Sequence, residues 1–391
     1  MIEINPWTKI STKESAASIY RVDRTIDLVD FTVNGHEETE PSLIPFQKEM
    51  KEEFCQIMGE TKKNIQLEEH QRFSIERTNC KLYDEASSSH MVTLIEAKRN
   101  CFQPYPETEL LTTVAALKII GDTILHPAKN WKIRAYREVI DRKRCIILCS
   151  ENENVFEIKS SFPIKRDEEM LDSMCEINSA INKMTEDNRN KSICGAQFVE
   201  SEFRLENKSI KACVFGEIDM IIGVQNQIRF RGLITTTYNK IERNHRISFT
   251  DTELFYKSFE NTWPRAFWIG IPEIIYALRQ DSEMTIESLE KVPIEWISKR
   301  YNCGTSRLVD QSVWCVAKVL FEIKSMFESK TNSPNNILVT YAGAINEDED
   351  VPIILDFCPN SYSFRLLQEQ VYLKKILDEM NNNDTRTRKL Q

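Results

Sequence analysis

Residues 211–223 read KACVFGEIDMIIG, an apolar run interrupted by two carboxylates, Glu217 and Asp219. On a β-strand, residues two apart share a face, so the two acids are expected to project together while Ile218 and Met220 turn to the other side. Like charges at that spacing repel, and a cation between them relieves the repulsion. Hard carboxylate oxygens suit Mg2+ or Mn2+. Glu217 and Asp219 therefore read as metal ligands and as candidate catalytic carboxylates. A plainer arrangement stands beside this one: an exposed strand edge whose acids pair with Arg229 or Arg231 across a hairpin.

The hairpin itself is written in the flanking sequence, where ACVFGEIDMII and QIRFRGLITTT are β-type runs separated by GVQN. Residues 23–34 and 145–159 mix β-branched residues with turn formers and are expected to form strands. Residues 166–187 place Met170, Leu171, Met174, Ile177, Ile181 and Met184 near helical spacing after an acidic first turn, which predicts a helix. Further helices are expected over 251–268, 311–330 and 363–383, with Pro264 interrupting the first or beginning a turn there. No repeat or long linker divides the chain, and with ten glycines there is no Gly-rich phosphate loop. One domain over residues 1–380 is expected, with a disordered tail at 381–391.

Composition bounds the function. With 41% hydrophobic and 28% charged residues, the 391-residue chain reads as a soluble globular protein. Its start, MIEINPWTKISTKES, is not a secretion signal, and no apolar run is long enough to cross a bilayer, so a cytoplasmic or nuclear protein without a membrane partner is expected. Eleven cysteines without paired spacing read as reduced thiols. The closest pair, Cys145 and Cys149, lacks a second ligand pair for zinc, because His36, His70, His90, His126 and His245 do not supply one at ligand spacing. A net charge of −9 argues against non-specific coating of nucleic acid. Two local segments run the other way: 129–144 carries seven basic residues against two acidic, and 229–246 carries five against one. They suit either a groove for a phosphate backbone or a solvated strand and loop. Trp131, Trp263, Trp268, Trp296 and Trp314 sit in apolar, periodic surroundings that point to core packing rather than base stacking.

Taken together, these motifs resemble a known family. VFGEID, followed after a turn by a second strand, resembles the GE-hydrophobic-D motif of the DXO family of decapping exoribonucleases, which act on the 5′ ends of faulty or non-canonically capped RNA. NWKIRAYREVIDRKRCIILCSE, ELFYKSFENTWPRAFWIGIPEIIYALR and SVWCVAKVLFEIKSM resemble other landmarks of that family in the same order, so the resemblance runs over roughly 85–330. It implies a single α+β domain with a mixed sheet flanked by helices, related to the PD-(D/E)XK nucleases. It also implies divalent cations held by four acids: a helix Glu, the Glu and Asp of the motif, and the Glu of a following ELK whose Lys assists the attacking water.

The sequence departs from that pattern at defined places. Glu217 and Asp219 match, but the ELK position reads Gly232-Leu233-Ile234, and the helix Glu falls at Asn178, with Glu176 about 200° round a helix. Ile95 stands where the family has an Arg, with Lys98 and Arg99 downstream, and Arg265 replaces a Gln. Two-metal hydrolysis needs enough anionic ligands for both cations. Two carboxylates hold at most one, weakly, and Ile234 removes the cation nearest the nucleophile. The resemblance then implies a protein that recognises RNA 5′ ends with a weakened or lost nuclease, in which Lys98, Arg99, Arg231 and Arg265 replace metal charge by direct phosphate contacts. A larger exoribonuclease is an implied partner. The alternative is an active Mg2+- or Mn2+-dependent decapping or deNADding hydrolase using Glu217 and Asp219, with Glu200 or Glu202 entering the site.

Overall fold

A computed structural model describes residues 1–8, 17–21, 28–32, 43–45, 49–59, 64–74, 108–140, 143–150, 183–186, 193–218, 220–224, 228–239, 241–242, 245–246, 263–280, 285–301, 307–329, 336–345 and 350–358. The first sheet is built around Leu110–Thr113 (β1), in which every residue is buried. Lys143–Ser150 (β3) and Lys208–Ile218 (β5) flank β1, both parallel to it. Trp131–Ile140 (β2) pairs antiparallel with β3, and Ile193–Leu205 (β4) antiparallel with β5. Beyond β2 lie Asn336–Tyr341 (β10) and Ile353–Phe357 (β11), and short strands at Ile2–Ile4, Ser18–Arg21, Leu28–Thr32 and Leu43–Pro45 complete the two ends.

A second sheet takes over where β5 ends. Met220–Val224 (β6) and Ile228–Asn239 (β7) form the hairpin that the sequence predicts. Glu273–Gln280 (β8) runs parallel to β7, and Thr285–Pro293 (β9) antiparallel to β8. Thus the large mixed sheet implied by the resemblance is present, and the described residues hold a second beside it.

Helices supply the layer that these sheets bury. Val114–Leu125 (α2) follows β1 directly and is capped by Thr113, whose hydroxyl accepts a hydrogen bond from the Ala116 N–H at 3.2 Å. Leu308–Ser329 (α4) buries Val313, Val316, Leu320, Ile323 and Phe327. Helix α4 lies close against α2, because a Cβ on Gly121 would stand 2.6 Å from Ser312 Oγ, and that hydroxyl instead donates to the Gly121 carbonyl. Side chains from both sheets enter this helical core, among them Val214 and Phe203 from the first and Ile274 and Tyr276 from the second. A smaller core on the far side of the second sheet joins Ile275, Ala277 and Leu289 to Phe54 and Ile57 of Glu52–Gly59 (α1) and to Met184.

Several expectations meet the structure here. Residues 28–32, 143–150 and 308–329 form the predicted strands and helix, with bounds shifted by a few residues. Residues 263–268 are helical and Pro264 lies in the first turn, where its missing N–H has no bond to lose. The predicted helix over 166–187 ends early: Thr185 and Glu186 pair antiparallel with Met50 and Glu49, and tertiary strand pairing overrides the helical period. The parts of these predictions at 151–159, 166–182, 251–262 and 363–391 lie outside the described residues. Trp131, Trp263, Trp268 and Trp314 are buried, and Trp296 of Ile294–Tyr301 (α3) is packed against the core with the Arg300 guanidinium over its ring. Among the described residues, no helix is long and apolar enough to cross a membrane.

Candidate functional site: the crossing between the two sheets

Gly216 explains why a glycine precedes Glu217. A Cβ there would lie 2.3 Å from Ile269 Cγ2 and 2.6 Å from Val114 Cγ2, so β5 can lie against α2 and the Ile269 turn only without a side chain. Gly216 shares the core side of β5 with Ile210, Ala212 and Val214, and Glu217 takes the next register position, level with Ala196 of β4. The strand is interior, paired with β1 and β4 on its two sides, and β6 is likewise interior. The pairing of β5 with β1 ends at Phe215, so at Glu217 the described ladder is the one with β4.

Strand β5 ends in the first sheet at Ile218, and β6 begins in the second at Met220. In β5, even-numbered residues from Ile210 to Val214 face the helical core. In the second sheet Ile274 and Tyr276 face that core, whereas Ile275 faces the smaller one. Gly232 is level with Glu273, Ile234 is level with Ile275, and Met220 is level with Gly232. The backbone position of Met220 thus belongs to the row of Gly232 and Glu273, on the smaller-core side of the second sheet. Asp219 lies outside the described residues.

The register positions of Gly232 and Ile234, level with Glu273 and Ile275, fall on the side of the second sheet that carries the smaller core. Met184 is buried in that core. Gly232 is also level with Met220, three residues along the chain from Glu217.

The remaining predicted residues divide. Arg231 is level with Ile221 and alternates along β7 with Gly232 and Ile234. Arg265 lies half-buried in the helical stretch 263–268. Ile95, Lys98, Arg99, Glu176 and Asn178 lie outside the described residues. Glu200 is buried and level with Cys213, four residues from Glu217 along β5, which is about 13 Å. Glu202 accepts a hydrogen bond from Arg204 at 2.8 Å, which is the main cause holding its carboxyl below the usual range, with burial opposing it. Neither acid is adjacent to Glu217. In the basic run 129–144, Arg134 is only 4% exposed and Arg137 donates to the Phe327 carbonyl at 2.9 Å, so two of its charges serve the interior. Among the described residues, no three His, Cys, Asp or Glu side chains gather in metal-binding geometry.

Two residues that the sequence reading did not single out share this side. Glu273 is level with Gly232, and Lys291 of β9 is level with Ile275. Each stands as a charge in an apolar alternation, IPEIIYAL and ESLEKVP, which was the available signal. Which strand lies beside which is a tertiary fact that the alternation alone does not give.

The fold defined by these sheets and helices is that of the solved Rai1 and Dxo1 structures. It superposes on Scheffersomyces stipitis Rai1 bound to (3′-NADP)+ and a calcium ion, with a TM-score of 0.59 and 12% identity over 94% of this chain and 96% of that one. Candida albicans Rai1 in complex with pU5-Mn2+ gives a TM-score of 0.59 and 12% identity, covering 88% of this chain and 92% of that chain. K. lactis Dxo1 in complex with manganese gives 0.59 and 10% identity, covering 93% and 99%. No family model matches the sequence, and no curated protein matches it by sequence.

Proposed function

We propose that this chain binds RNA 5′ ends on the side that carries Glu217 and that its phosphodiester hydrolysis is weak or lost. The observation that supports the reading is the register of β7: Gly232 is level with Met220, the residue after GEID, and Ile234 follows two positions on, where the resemblance expects a carboxylate and an ammonium. Fixed cations then carry the contacts to phosphate that metals make in an active enzyme, with Lys98, Arg99, Arg231 and Arg265 as the proposed set. The similar structures that hold a pU5 oligonucleotide or a dinucleotide phosphate support the same ligand class.

Glu217 and Asp219 fit one hard cation, Mg2+ or Mn2+, whose shell water and RNA phosphates would complete. When bound, that ion would neutralise phosphate charge at the 5′ end. The proposal involves no second protein.

A second reading, a Mg2+- or Mn2+-dependent decapping or deNADding hydrolase, is favoured by one observation: Glu273 lies level with Gly232 on the neighbouring strand and returns a carboxylate to that level of the sheet.

The test is equilibrium binding of short RNAs with monophosphate, triphosphate, NAD-capped or hydroxyl 5′ ends, with and without Mn2+. Binding that prefers a phosphorylated or capped end over a 5′-hydroxyl end and weakens as salt rises is expected. Equal, salt-insensitive binding of all ends, or none, would remove the reading.

A further inference from the structure

The helical stretch 263–268 carries half-buried Arg265 between two fixed ends. At its start, Trp263 is 1% exposed, and its indole Nε1 donates to Ser298 Oγ of α3 at 3.1 Å. Just past its far end, Ile269 packs so closely on Gly216, the residue before Glu217, that a Cβ there would stand 2.3 Å from Ile269 Cγ2. Arg265 precedes Ile269 by four residues, about one helical turn or 6 Å along the axis. The helix therefore brings a cation to within a turn of the contact that seats the GEID crossing.

A helix of one and a half turns is marginal by itself, so side-chain contacts set its direction and rotation. Trp263 stacks on Phe267 with ring centroids 4.6 Å apart, and Trp268 stacks on Phe203 of β4 at 6.5 Å. Stacked rings slide at little cost, whereas a hydrogen bond is directional. An indole has one donor, and here it goes to Ser298. Two residues apart on a helix is about 200° round, so any rotation at Trp263 swings Arg265 on the other side of the axis. A turn of about 10° moves a guanidinium by about 1–2 Å, enough to misplace a contact to phosphate.

We propose that Ser298 is a positioning residue for the RNA 5′ phosphate: by holding Trp263 it sets the rotation of helix 263–268 and so aims Arg265. The inference rests on the 5′-end-binding reading above, in which Arg265 contacts phosphate, and adds the group that fixes its aim.

The probe is a short 3′-labelled RNA carrying either a 5′-monophosphate or a 5′-hydroxyl, titrated at several salt concentrations against wild type, Ser298→Ala, Ser298→Thr, Arg265→Gln and Ser298→Ala/Arg265→Gln. Wild type is expected to prefer the phosphorylated end, and Arg265→Gln to lose most of that preference with about one unit of salt slope. Ser298→Ala should cut the preference about fivefold, the worth of one hydrogen bond, without weakening the 5′-hydroxyl RNA. Ser298→Thr, which keeps the hydroxyl, should restore it, and Ser298→Ala should add nothing in the Arg265→Gln background. An unchanged preference in folded Ser298→Ala, an equal loss for both RNAs, or the same loss in the Arg265→Gln background overturns the inference and leaves the binding reading standing. A wild type that binds neither RNA overturns both. If Ser298→Ala retains no folded fraction by thermal melting, Trp263→Phe, which also removes the bond, takes its place with the same outcomes.

Discussion

Gly216→Ala is the sharpest perturbation of the crossing that carries Glu217. Carbon atoms pack comfortably at about 3.5–4.0 Å. The added methyl would meet Ile269 Cγ2 at 2.3 Å and Val114 Cγ2 at 2.6 Å. Both neighbours are buried, at 1% and 8% exposure, so neither can swing into solvent to make room. Overpacking of this kind costs about 1–3 kcal/mol. At roughly 2–4 °C per kcal/mol for a large domain, the melting temperature should fall by roughly 2–12 °C. Calorimetry on wild type, Gly216→Ala, Ile269→Ala and the double variant separates the clash from other effects. The alanine at 216 should cost at least about 1 kcal/mol less in the Ile269→Ala background, a coupling expected of residues in contact. A Gly216→Ala protein within about 0.5 kcal/mol of wild type would refute the reasoning that close approach, and not loop freedom, fixes this glycine.

Three further outcomes follow from the same geometry. Trp131 Nε1 donates to Thr123 Oγ1 at 3.0 Å inside the core, so Trp131→Phe should destabilise by about 1–3 kcal/mol in urea unfolding, and a change below that range would remove the bond from the account. Burial pushes the Cys315 thiol up to about 12, so peptide mapping after alkylation at pH 8 should show it unlabelled in the folded protein and labelled in denaturant. Labelling of the folded protein at the rate of a free thiol would contradict that burial. The Arg204 hydrogen bond lowers the Glu202 carboxyl below its ordinary 4.5, so its stabilisation is present above that value and is lost as pH falls through the lowered one. Glu202→Gln should therefore flatten the acid limb of stability against pH and leave the slope near neutrality unchanged, as urea midpoints across the range would show.

How far the site was legible in the sequence depends on distance along the chain. The GVQN turn fixed the β6–β7 hairpin locally, and with it the adjacency of Gly232 to the GEID segment. Strand alternation also led to the expectation that Glu217 and Asp219 share a face, and Asp219 lies outside the described residues. The passage of the chain from the first sheet to the second between Ile218 and Met220 was not written in the local sequence. The register positions of Glu273 and Lys291 were illegible for a related reason. They come beside Gly232 and Ile275 through the parallel pairing of β7 with β8 and the pairing of β8 with β9, contacts between residues some forty or more positions apart in the first case. In the same way, Thr185 and Glu186 lost their helical period to a strand partner at Glu49–Met50.

The central claim is that Gly232 and Ile234 stand where the resemblance expects groups that hydrolysis requires, while binding of RNA 5′ ends persists. It is tested most directly by incubating 5′-monophosphate, triphosphate, NAD-capped and unmethylated-cap RNAs with the protein in Mg2+ and Mn2+, beside a Glu217→Gln/Asp219→Asn control. Bound RNA that remains intact, or is cleaved no faster than in the control, is the expected result. Metal-dependent product that disappears in the control would contradict the claim and make this chain a working nuclease despite Gly232 and Ile234.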